Sequence, residues 1–426
     1  MLEVQSIRNS RDIVNAGLIK KGCSAEQLGS LDEIVTLDDE RKKTQTESDK
    51  ILSDYNTLSK DIGELFKSGK HAEANGLKAK VASLKEEIKE YDAKSKEIGE
   101  KLYNLLIQLP NIPHDSVPQG KTPEENEVYK AWDKPLDLLD ESALPHWELG
   151  EKYALFSLTD GVKLTGAGFP VYKGKGAKLQ RALISYFLDE ATAAGYLEIM
   201  PPLLVNQESA TATGQLPDKE GQMYHATKDD LYLIPTAEVP ITNLYRGNIV
   251  PEDELPVKMC GYTPCFRREA GSYGADVKGL NRVHQFDKVE IVQLQHPDKS
   301  YDSLHDMIGH VSHLLDSLGL PYRILRLCGG DMSFASALTY DFEVYSMAQK
   351  RWLEVSSVSN FETFQSNRLA LRFKDSDGKN KLLHTLNGSA LALARIVAAL
   401  LENFQTNEGV VIPEVLRKYT GFDIIN

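Results

Sequence analysis

The chain has 426 residues and a formal net charge of −13, and its length predicts roughly two or three domains. The negative charge argues against a protein that coats nucleic acid indiscriminately, because phosphate binding needs a high density of lysine and arginine. Any nucleic-acid surface must therefore be local. The N-terminus has no apolar signal core, and no stretch is apolar enough to span a membrane, so we expect a cytoplasmic protein.

The cysteine pattern argues against a structural metal. The four cysteines are Cys23, Cys260, Cys265 and Cys328, and only Cys260 and Cys265 lie near each other. A zinc site needs a second pair or nearby histidines, and neither is present. We expect no zinc and no disulfide.

Residues 28–105 are rich in Lys, Glu, Asp, Leu and Ser and contain no proline, which predicts helix. Steps of alternately four and three residues indicate a coiled-coil seam in each half. A turn fits the segment 66–76. The seam positions are Ile34, Leu37, Arg41, Thr44, Ser48, Ile51, Tyr55, Leu58, Ile62 and Leu65 in the first half, and Leu77, Val81, Leu84, Ile88, Tyr91, Ser95, Ile98, Leu102 and Leu105 in the second.

The two halves match best as an antiparallel pair. Pairing Leu65 with Leu77 sets Ser95 opposite Thr44 and Ser48, so the polar layers of the two seams coincide. This favours an intramolecular hairpin over a parallel dimerisation zipper, which is the alternative. A hairpin of this length would project on the order of 50 to 60 Å at 1.5 Å per helical residue.

The tip of the predicted hairpin is basic although the chain is acidic. Residues 65–85 carry five lysines against Glu73 alone. A basic patch at the tip of a long helical hairpin predicts contact with a phosphate backbone, and the alternative is an ordinary solvated surface. The lysines are Lys67, Lys70, Lys78, Lys80 and Lys85.

Prolines 110, 113 and 118 end the helical segment, so we place a domain boundary between residues 1–108 and 109–426. Beyond it, apolar runs such as LYLIP, VKMCGYTPCF and KVEIVQL alternate with helical stretches. This alternation of strand-like and helical segments predicts an α+β domain around a mainly antiparallel sheet flanked by helices. The glycine-rich GKGAK at 174–178 lacks the spacing of a phosphate-binding loop and is expected to enter the next helix.

Charges concentrate in residues 265–292, between two strand-like ends. An arginine at a strand end can clamp phosphate, a glutamate two residues on shares its face, and a phenylalanine offers a plane for a base. The pattern predicts a nucleotide pocket, against the alternative of a surface ion-pair cluster. The long loop between these strand-like ends holds Arg267, Arg268, Glu269, Lys278, Arg282 and His284.

Residues 382–401 form a second candidate segment, interpreted as a helix rich in small residues that packs closely on a sheet. Arg395 is its only charge apart from His384. A buried structural ion pair is the alternative explanation of this arginine.

These segments resemble the class II aminoacyl-tRNA synthetases. Phe266–Glu269 and Arg282–Glu290 resemble motif 2 in its seryl-tRNA synthetase form. Motif 1 at 195–206, the signature TAEVP at 236–240, the signature EVSSVSNFETFQSNR at 354–368 and motif 3 at 383–403 follow in the family's order, and the two signatures resemble the seryl-type enzymes specifically. The resemblance covers almost the whole chain and implies a class II antiparallel sheet with an N-terminal coiled-coil arm.

The resemblance implies ATP-binding roles for motif residues. Arg267 would bind the α-phosphate, Arg282 the outer phosphates and Arg395 the γ-phosphate, with Phe286 stacked on adenine. Glu354 and Ser357 would hold Mg²⁺, which prefers hard oxygen donors. The implied ATP set also includes Arg268, Glu269, Val283, Val355 and Ser356.

The resemblance also implies a serine pocket, in which Glu290 is expected to contact the serine hydroxyl. Buried acceptors would discriminate against alanine, which cannot satisfy them. Motif 1 would form a homodimer interface, and the motif 2 loop, with Tyr273 and Asn281 of unmatched role, would approach the tRNA acceptor end. The implied serine set is Thr236, Ala237, Glu238, Arg267, Glu290, Asn387 and Ser389.

The implied activity is ATP-dependent activation of L-serine followed by transfer to tRNA(Ser), and the resemblance extends this to tRNA(Sec). The chain offers no convincing nucleophile with an adjacent base, which agrees with chemistry by orientation and charge stabilisation. Two alternatives remain at this point. One is a synthetase-like ligase that charges a carrier protein, and the other is a coiled-coil scaffold with an inactive core.

Overall fold

A computed structural model of the chain describes residues 1–136, 139, 142–218, 221–268 and 278–426. Glu269 and Tyr273 lie outside the described residues. The chain divides into two compact units. One contains Leu2–Ile19 and Cys23–Pro110, and the other contains Met1, Lys20–Gly22 and Asn111–Asn426.

The helices of the described residues are α1 (Val4–Asn9), α2 (Arg11–Lys20), α3 (Ala25–Lys67), α4 (His71–Leu106), α5 (His146–Lys152), α6 (Leu158–Leu164), α7 (Gly174–Ala193), α8 (Gln207–Thr213), α9 (Glu238–Asn243), α10 (Ser300–Leu318), α11 (Thr363–Arg368), α12 (Leu393–Asn403) and α13 (Glu414–Thr420).

Helices α3 and α4 pack along each other as the predicted antiparallel hairpin. Ser24 caps α3 through a reciprocal capping box with Gln27, which satisfies free amide groups at the helix start. The seam positions are the less exposed face, and Thr44 is buried. Arg41 is an exception, because it is exposed and donates to Asp38 at 2.9 Å. The hairpin prediction is therefore confirmed, with a turn at residues 68–70 that is shorter than expected.

The strands are β1 (Glu127–Lys130), β2 (Phe156–Ser157), β3 (Val171–Tyr172), β4 (Leu197–Glu198), β5 (Leu204–Asn206), β6 (His225–Ala226), β7 (Leu231–Leu233), β8 (Ile249–Pro251), β9 (Val257–Phe266), β10 (Gln285–Gln295), β11 (Tyr322–Arg326), β12 (Leu338–Ser346), β13 (Arg351–Asn360), β14 (Arg372–Lys374), β15 (Asn380–Leu382), β16 (His384–Ala392), β17 (Val410–Val411) and β18 (Ile424–Ile425).

The described strands of the larger unit include an eight-stranded sheet in the order β1-β11-β12-β13-β16-β10-β9-β4. Neighbours pair antiparallel, except that β4 runs parallel to β9. Helices α7, α10 and α12 pack on this sheet and share its apolar core. The predicted α+β class and antiparallel sheet are confirmed. No helix among the described residues is long and apolar enough to cross a membrane.

The segment 382–401 is not one helix, and this expectation was wrong. Its first part is the central strand β16, and only the second part forms α12. A strand between two others is buried on both faces, so its sequence does not alternate and resembles an apolar helix. Gly388 allows close packing there, because an added Cβ would lie 3.2 Å from a methyl group of Val358 on the neighbouring strand and that side chain would have to shift.

Candidate active site

A cavity of about 730 Å³ opens beside strands β9, β10, β13 and β16. These strands and the start of α12 bring together segments that are more than a hundred residues apart in sequence. The predicted site residues that line the cavity are Thr236, Glu238, Arg267, Arg282, Val283, Phe286, Glu290, Glu354, Val355, Ser356, Ser357, Asn387, Ser389 and Arg395.

Strand β10 presents a ladder of three side chains to this cavity. Phe286, Lys288 and Glu290 occupy alternate positions, so they project from one face, with steps of about 6.8 Å per two residues. The strand thus presents an aromatic ring, then a cation, then a carboxylate. This order can accommodate a base at one end and an ammonium group at the other.

Arg267 follows β9 directly and lies at the aromatic end of the ladder. Its guanidinium carbon is 5.3 Å from the centroid of the Phe286 ring. Its backbone amide donates to the carbonyl of His284 at 2.9 Å, and the His284 ring contacts the Arg267 carbonyl and the Tyr224 hydroxyl. These bonds fix the strand end on which the arginine lies.

Arg395 lies at the start of α12 and bridges two edges of the cavity. Its Nη1 donates to the carbonyl of Glu354 at 2.6 Å and lies 3.5 Å from the carboxylate of the same residue. Its Nε donates to the carbonyl of Asn281 at 2.9 Å. The guanidinium therefore connects β13 with the segment that precedes Arg282.

A β-bulge explains why Glu354 and Ser357 can act together. Residues three apart on a regular strand point to opposite faces, but the register of β13 with β12 shifts at this point. Glu354 pairs with Glu343, while Ser356 pairs with Phe342, so one residue of β13 is extra. The shift returns Ser357 to the face of Glu354.

Asp341 is an acidic neighbour that the sequence analysis did not find. It pairs with Ser357 across the two strands, and its Oδ1 is buried without a hydrogen-bond partner among the described residues. Burial, followed by the nearby Glu354 carboxylate, raises the pKa of Asp341 well above its ordinary value. Two carboxylates and a hydroxyl make a hard-oxygen set that fits Mg²⁺. The sequence alone does not show that Asp341 pairs with Ser357, because that pairing depends on the β-bulge.

The carboxylate end of the cavity is held together by Asn387. Its Nδ2 donates to Glu238 at 2.8 Å and to Glu290 at 2.7 Å. Burial, followed by repulsion from Glu290, raises the pKa of Glu238 to about 7, against the opposing effects of Gln365 and the nearby cations. Gln365 donates to Glu238 at 2.6 Å and was not identified from sequence, because it lies in the short helix α11.

Lys288 lines the cavity and was not identified by the sequence analysis. Its Nζ lies 2.6 Å from Glu290 and donates to Thr236 Oγ1 at 2.9 Å. The backbone amide of Glu238 also donates to Thr236 Oγ1, at 3.2 Å. With both acceptor positions used, the Thr236 hydroxyl is left to act as a donor. Lys288 could have been predicted to line the site, because it lies two residues before Glu290 on the same strand and so projects from the same face.

Several predicted site residues lie elsewhere. Ala237 is fully buried in a small apolar cluster and does not line the cavity. Arg268 is exposed, with its guanidinium 5.8 Å above the Tyr224 ring. Glu269 lies outside the described residues. The lysines of the arm are all exposed in the smaller unit, namely Lys67, Lys70, Lys78, Lys80 and Lys85.

Comparison with known proteins identifies relatives over the full length. The class II tRNA synthetase core domain (G, H, P, S and T) matches residues 222–404, and the seryl-tRNA synthetase N-terminal domain matches residues 1–113. The serine–tRNA ligase of Salinibacter ruber is 48% identical over 424 residues, which cover 99% of this chain and 98% of that protein.

Solved structures agree. A seryl-tRNA synthetase from Pyrococcus horikoshii complexed with ATP has a TM-score of 0.89 at 33% identity, covering 100% of this chain and 99% of the other. A cytoplasmic serine–tRNA ligase from Naegleria fowleri in complex with AMP has a TM-score of 0.85 at 27% identity, with the same coverage. The N-terminal match disfavours the carrier-protein alternative, and the full-length similarity to serine–tRNA ligases disfavours the scaffold alternative. The chain belongs to the seryl-tRNA synthetase family of class II aminoacyl-tRNA synthetases.

Proposed function

We propose that the chain activates L-serine with ATP to seryl-adenylate and then transfers the seryl group to the 3′ end of tRNA(Ser). The division of charge within one cavity carries the proposal. Arg267 lies beside Phe286, and Arg282 and Arg395 line the same cavity. At the other end of the β10 ladder, the buried carboxylates of Glu238 and Glu290 are joined through Asn387. Phosphates match the first end, and the ammonium group of an amino acid matches the second.

In this proposal ATP binds with adenine on Phe286 and its α-phosphate beside Arg267. The guanidinium already lies close to that ring, which suits a nucleotide whose base and phosphate are joined through one ribose. Arg282 and Arg395 would bind the outer phosphates, and Val283, Val355 and Ser356 would frame the nucleotide. Arg268 and Glu269 complete the set by family resemblance. The Pyrococcus horikoshii relative was solved in complex with ATP, which supports ATP as the nucleotide.

The first step is an in-line displacement. A carboxylate oxygen of serine attacks the α-phosphorus, the bond to the bridging oxygen breaks, and pyrophosphate leaves. Negative charge grows on the α-phosphate oxygens, and fixed cations such as Arg267 stabilise it without reorganisation. In the second step, a hydroxyl of the terminal ribose attacks the acyl carbon, and AMP leaves. Neither step needs a covalent enzyme intermediate.

Glu354 and Ser357 would hold the Mg²⁺ that accompanies ATP. The bulge that places Glu354 and Ser357 on one face supports this assignment, as does the Oδ1 of Asp341, which has no hydrogen-bond partner among the described residues. When bound, the ion neutralises charge on phosphate oxygens. Arg395 contacts the carbonyl of Glu354 and would keep that carboxylate facing the triphosphate.

Serine selection follows from the acceptors at the carboxylate end. Glu290 would accept from the serine hydroxyl, with Ser389 directly opposite it on β16, and Glu238 would face the ammonium. The Thr236 hydroxyl, left as a donor, suits an oxygen of the substrate. Alanine would leave these polar groups unsatisfied, so it should be rejected strongly.

The remaining parts of the proposal concern partners. The exposed lysines at the arm tip would contact the phosphate backbone of tRNA(Ser), and of tRNA(Sec) if it shares the recognised shape. The motif 1 segment would form a homodimer interface. A cytoplasmic location is consistent with this activity and belongs to the proposal.

Pyrophosphate exchange tests the activation step. Wild type should exchange pyrophosphate into ATP with serine and not with alanine, and Arg267→Ala should abolish this exchange while leaving the fold intact. Near-normal exchange by Arg267→Ala would overturn the assignment. Deleting residues 34–98 should keep the exchange and greatly weaken tRNA charging, so unchanged charging would contradict the role of the arm.

A further inference from the structure

His146 and Glu402 form a buried polar pair that does not line the cavity. Both side chains are fully buried, and His146 Nδ1 lies 2.6 Å from Oε1 of Glu402. The same carboxylate oxygen accepts the backbone amide of His146 at 2.9 Å. Burying such groups is unfavourable unless their bonds are made, so the pair calls for an explanation.

The hydrogen bonds determine which ring nitrogen of His146 carries the proton. The backbone amide of Leu280 donates to Nε2 of His146 at 2.8 Å. An amide can only donate, so Nε2 is the acceptor and the ring proton lies on Nδ1, directed at Glu402. Glu402 therefore orients the imidazole so that Nε2 of His146 accepts from the backbone amide of Leu280.

A second route joins the same carboxylate to the next residue of that segment. Gln349 donates from Nε2 to Glu402 at 2.9 Å, and Asn281 donates from Nδ2 to Gln349 at 3.0 Å. The carbonyl of Asn281 then accepts from Nε of Arg395. Glu402 thus holds two consecutive residues, Leu280 and Asn281, whose segment lines the cavity.

Helix α12 carries both ends of this network. Arg395 and Glu402 are seven residues apart, about two helical turns, so they lie on the same side of the helix. One rigid element therefore sets where Arg395 stands and where the backbone before Arg282 is anchored. The distance between Arg282 and Arg395 therefore depends on the hydrogen bonds that join Glu402 to residues 280 and 281.

Gly279 shows how closely this backbone approaches the imidazole. Its φ is +66°, and a Cβ would lie 2.2 Å from Nε2 of His146. Any side chain at this position would push the segment off its acceptor.

We propose that His146 and Glu402 are positioning residues that hold the 280–282 segment against Arg395, so that Arg282 and Arg395 meet the outer phosphates of ATP together. The inference rests on the proposed ATP-dependent activation. Neither residue touches substrate. Their effect should appear in the use of ATP and not in the use of serine.

A double-mutant cycle tests this coupling. His146→Leu removes the acceptor for Leu280, and Arg395→Lys removes the Nε that reaches Asn281 while keeping a positive charge. In serine-dependent pyrophosphate exchange, we expect His146→Leu to lower kcat/KM for ATP by about tenfold or more, because small misplacements of binding groups are costly. The KM for serine should stay within about twofold of wild type.

The double variant gives the decisive readout. Because both changes release the same 280–282 segment, the loss in the double variant should fall short of the product of the two single losses by about threefold or more. Smaller coupling, or a serine KM that rises as much as the ATP KM, would overturn the inference. His146→Gln should recover part of the activity, because its amide oxygen can accept from Leu280.

Controls separate this result from loss of folding and from failure of the proposed function. His384→Leu removes another buried histidine, bonded to Ser300 at 2.7 Å outside the cavity, and should leave the ATP parameters unchanged. If His146→Leu does not fold, Gln349→Met takes its place, because it removes the link between Asn281 and Glu402. It is combined with Arg395→Lys, and the same threefold shortfall from the product of the single losses is expected. Wild type without serine-dependent exchange would overturn the proposed function itself, whereas active wild type without coupling overturns only the positioning role.

Discussion

Lys288 Nζ lies 2.6 Å from Oε2 of Glu290, in a pocket where the lysine side chain is 6% exposed and the glutamate is fully buried. Glu238 is joined to the same carboxylate through Asn387. Two buried carboxylates in one pocket repel each other, and Lys288 offsets part of that repulsion. The lysine also donates to Thr236, so it contacts two groups of the proposed serine site.

Lys288→Met should therefore impair serine binding selectively. Removing one partner of a buried ion pair leaves an uncompensated charge, which typically costs about 3–5 kcal/mol. We expect the KM for serine to rise at least about tenfold in pyrophosphate exchange, with the KM for ATP within about threefold, and a lower melting temperature. Lys258→Met, a half-buried lysine of the same sheet outside the cavity, is the matched control. Equal changes in both KM values would contradict a serine-specific role.

The raised pKa of Glu238, about 7, predicts that serine binding depends on pH. Below this value the carboxyl is mostly protonated and attracts an ammonium weakly, and above it the carboxylate binds the ammonium well. The dissociation constant for serine should therefore fall as pH rises from 6 to 8. Calorimetry at pH 6 in buffers of different ionisation enthalpy should detect proton release on binding.

Glu238→Gln identifies the titrating group. The amide keeps the size of the side chain, and proton release and the pH dependence should both disappear. Glu290, Lys288 and Arg267 face the same carboxyl, so a shift of comparable size in Glu238→Gln would assign the titration to another of these groups.

Local patterns in the sequence predicted some parts of the molecule well and others poorly. The arm follows from one periodicity, and Phe286 and Glu290 lie within one recognisable motif, so these parts could be predicted. Lys288 shares that strand, but its role depends on Thr236, which another segment contributes. The His146–Glu402 pair joins residues 256 positions apart, and no local pattern reports such a pairing.

The basic arm tip predicts a salt-dependent contact with tRNA. Replacing Lys67, Lys78 and Lys80 by alanine should lower kcat/KM for tRNA while leaving serine-dependent pyrophosphate exchange unchanged. Each lost phosphate contact should reduce the slope of log affinity against log salt by about one. Filter binding over a range of salt concentrations measures this slope.

A matched set of arm lysines provides the control for the tip. Lys89, Lys96 and Lys101 already pair with glutamates of their own helix, and their replacement should leave the tRNA parameters near wild type. If both sets weaken tRNA binding equally, general charge explains the effect, and the tip has no special role.

The motif 1 segment predicts a homodimer that one charge can dissociate. Met200 is 87% exposed and Leu197 is 62% exposed, and the latter lies on β4, at the end of the described eight-stranded sheet. Exposed apolar groups beside a sheet edge are typical of an interface. Met200→Asp should shift the chain to monomer in sedimentation equilibrium, because burial of an unpaired carboxylate is unfavourable. Leu164→Asp introduces the same charge at a position that is 75% exposed on α6, and it should remain dimeric. A dimer that withstands Met200→Asp would exclude this segment from the interface.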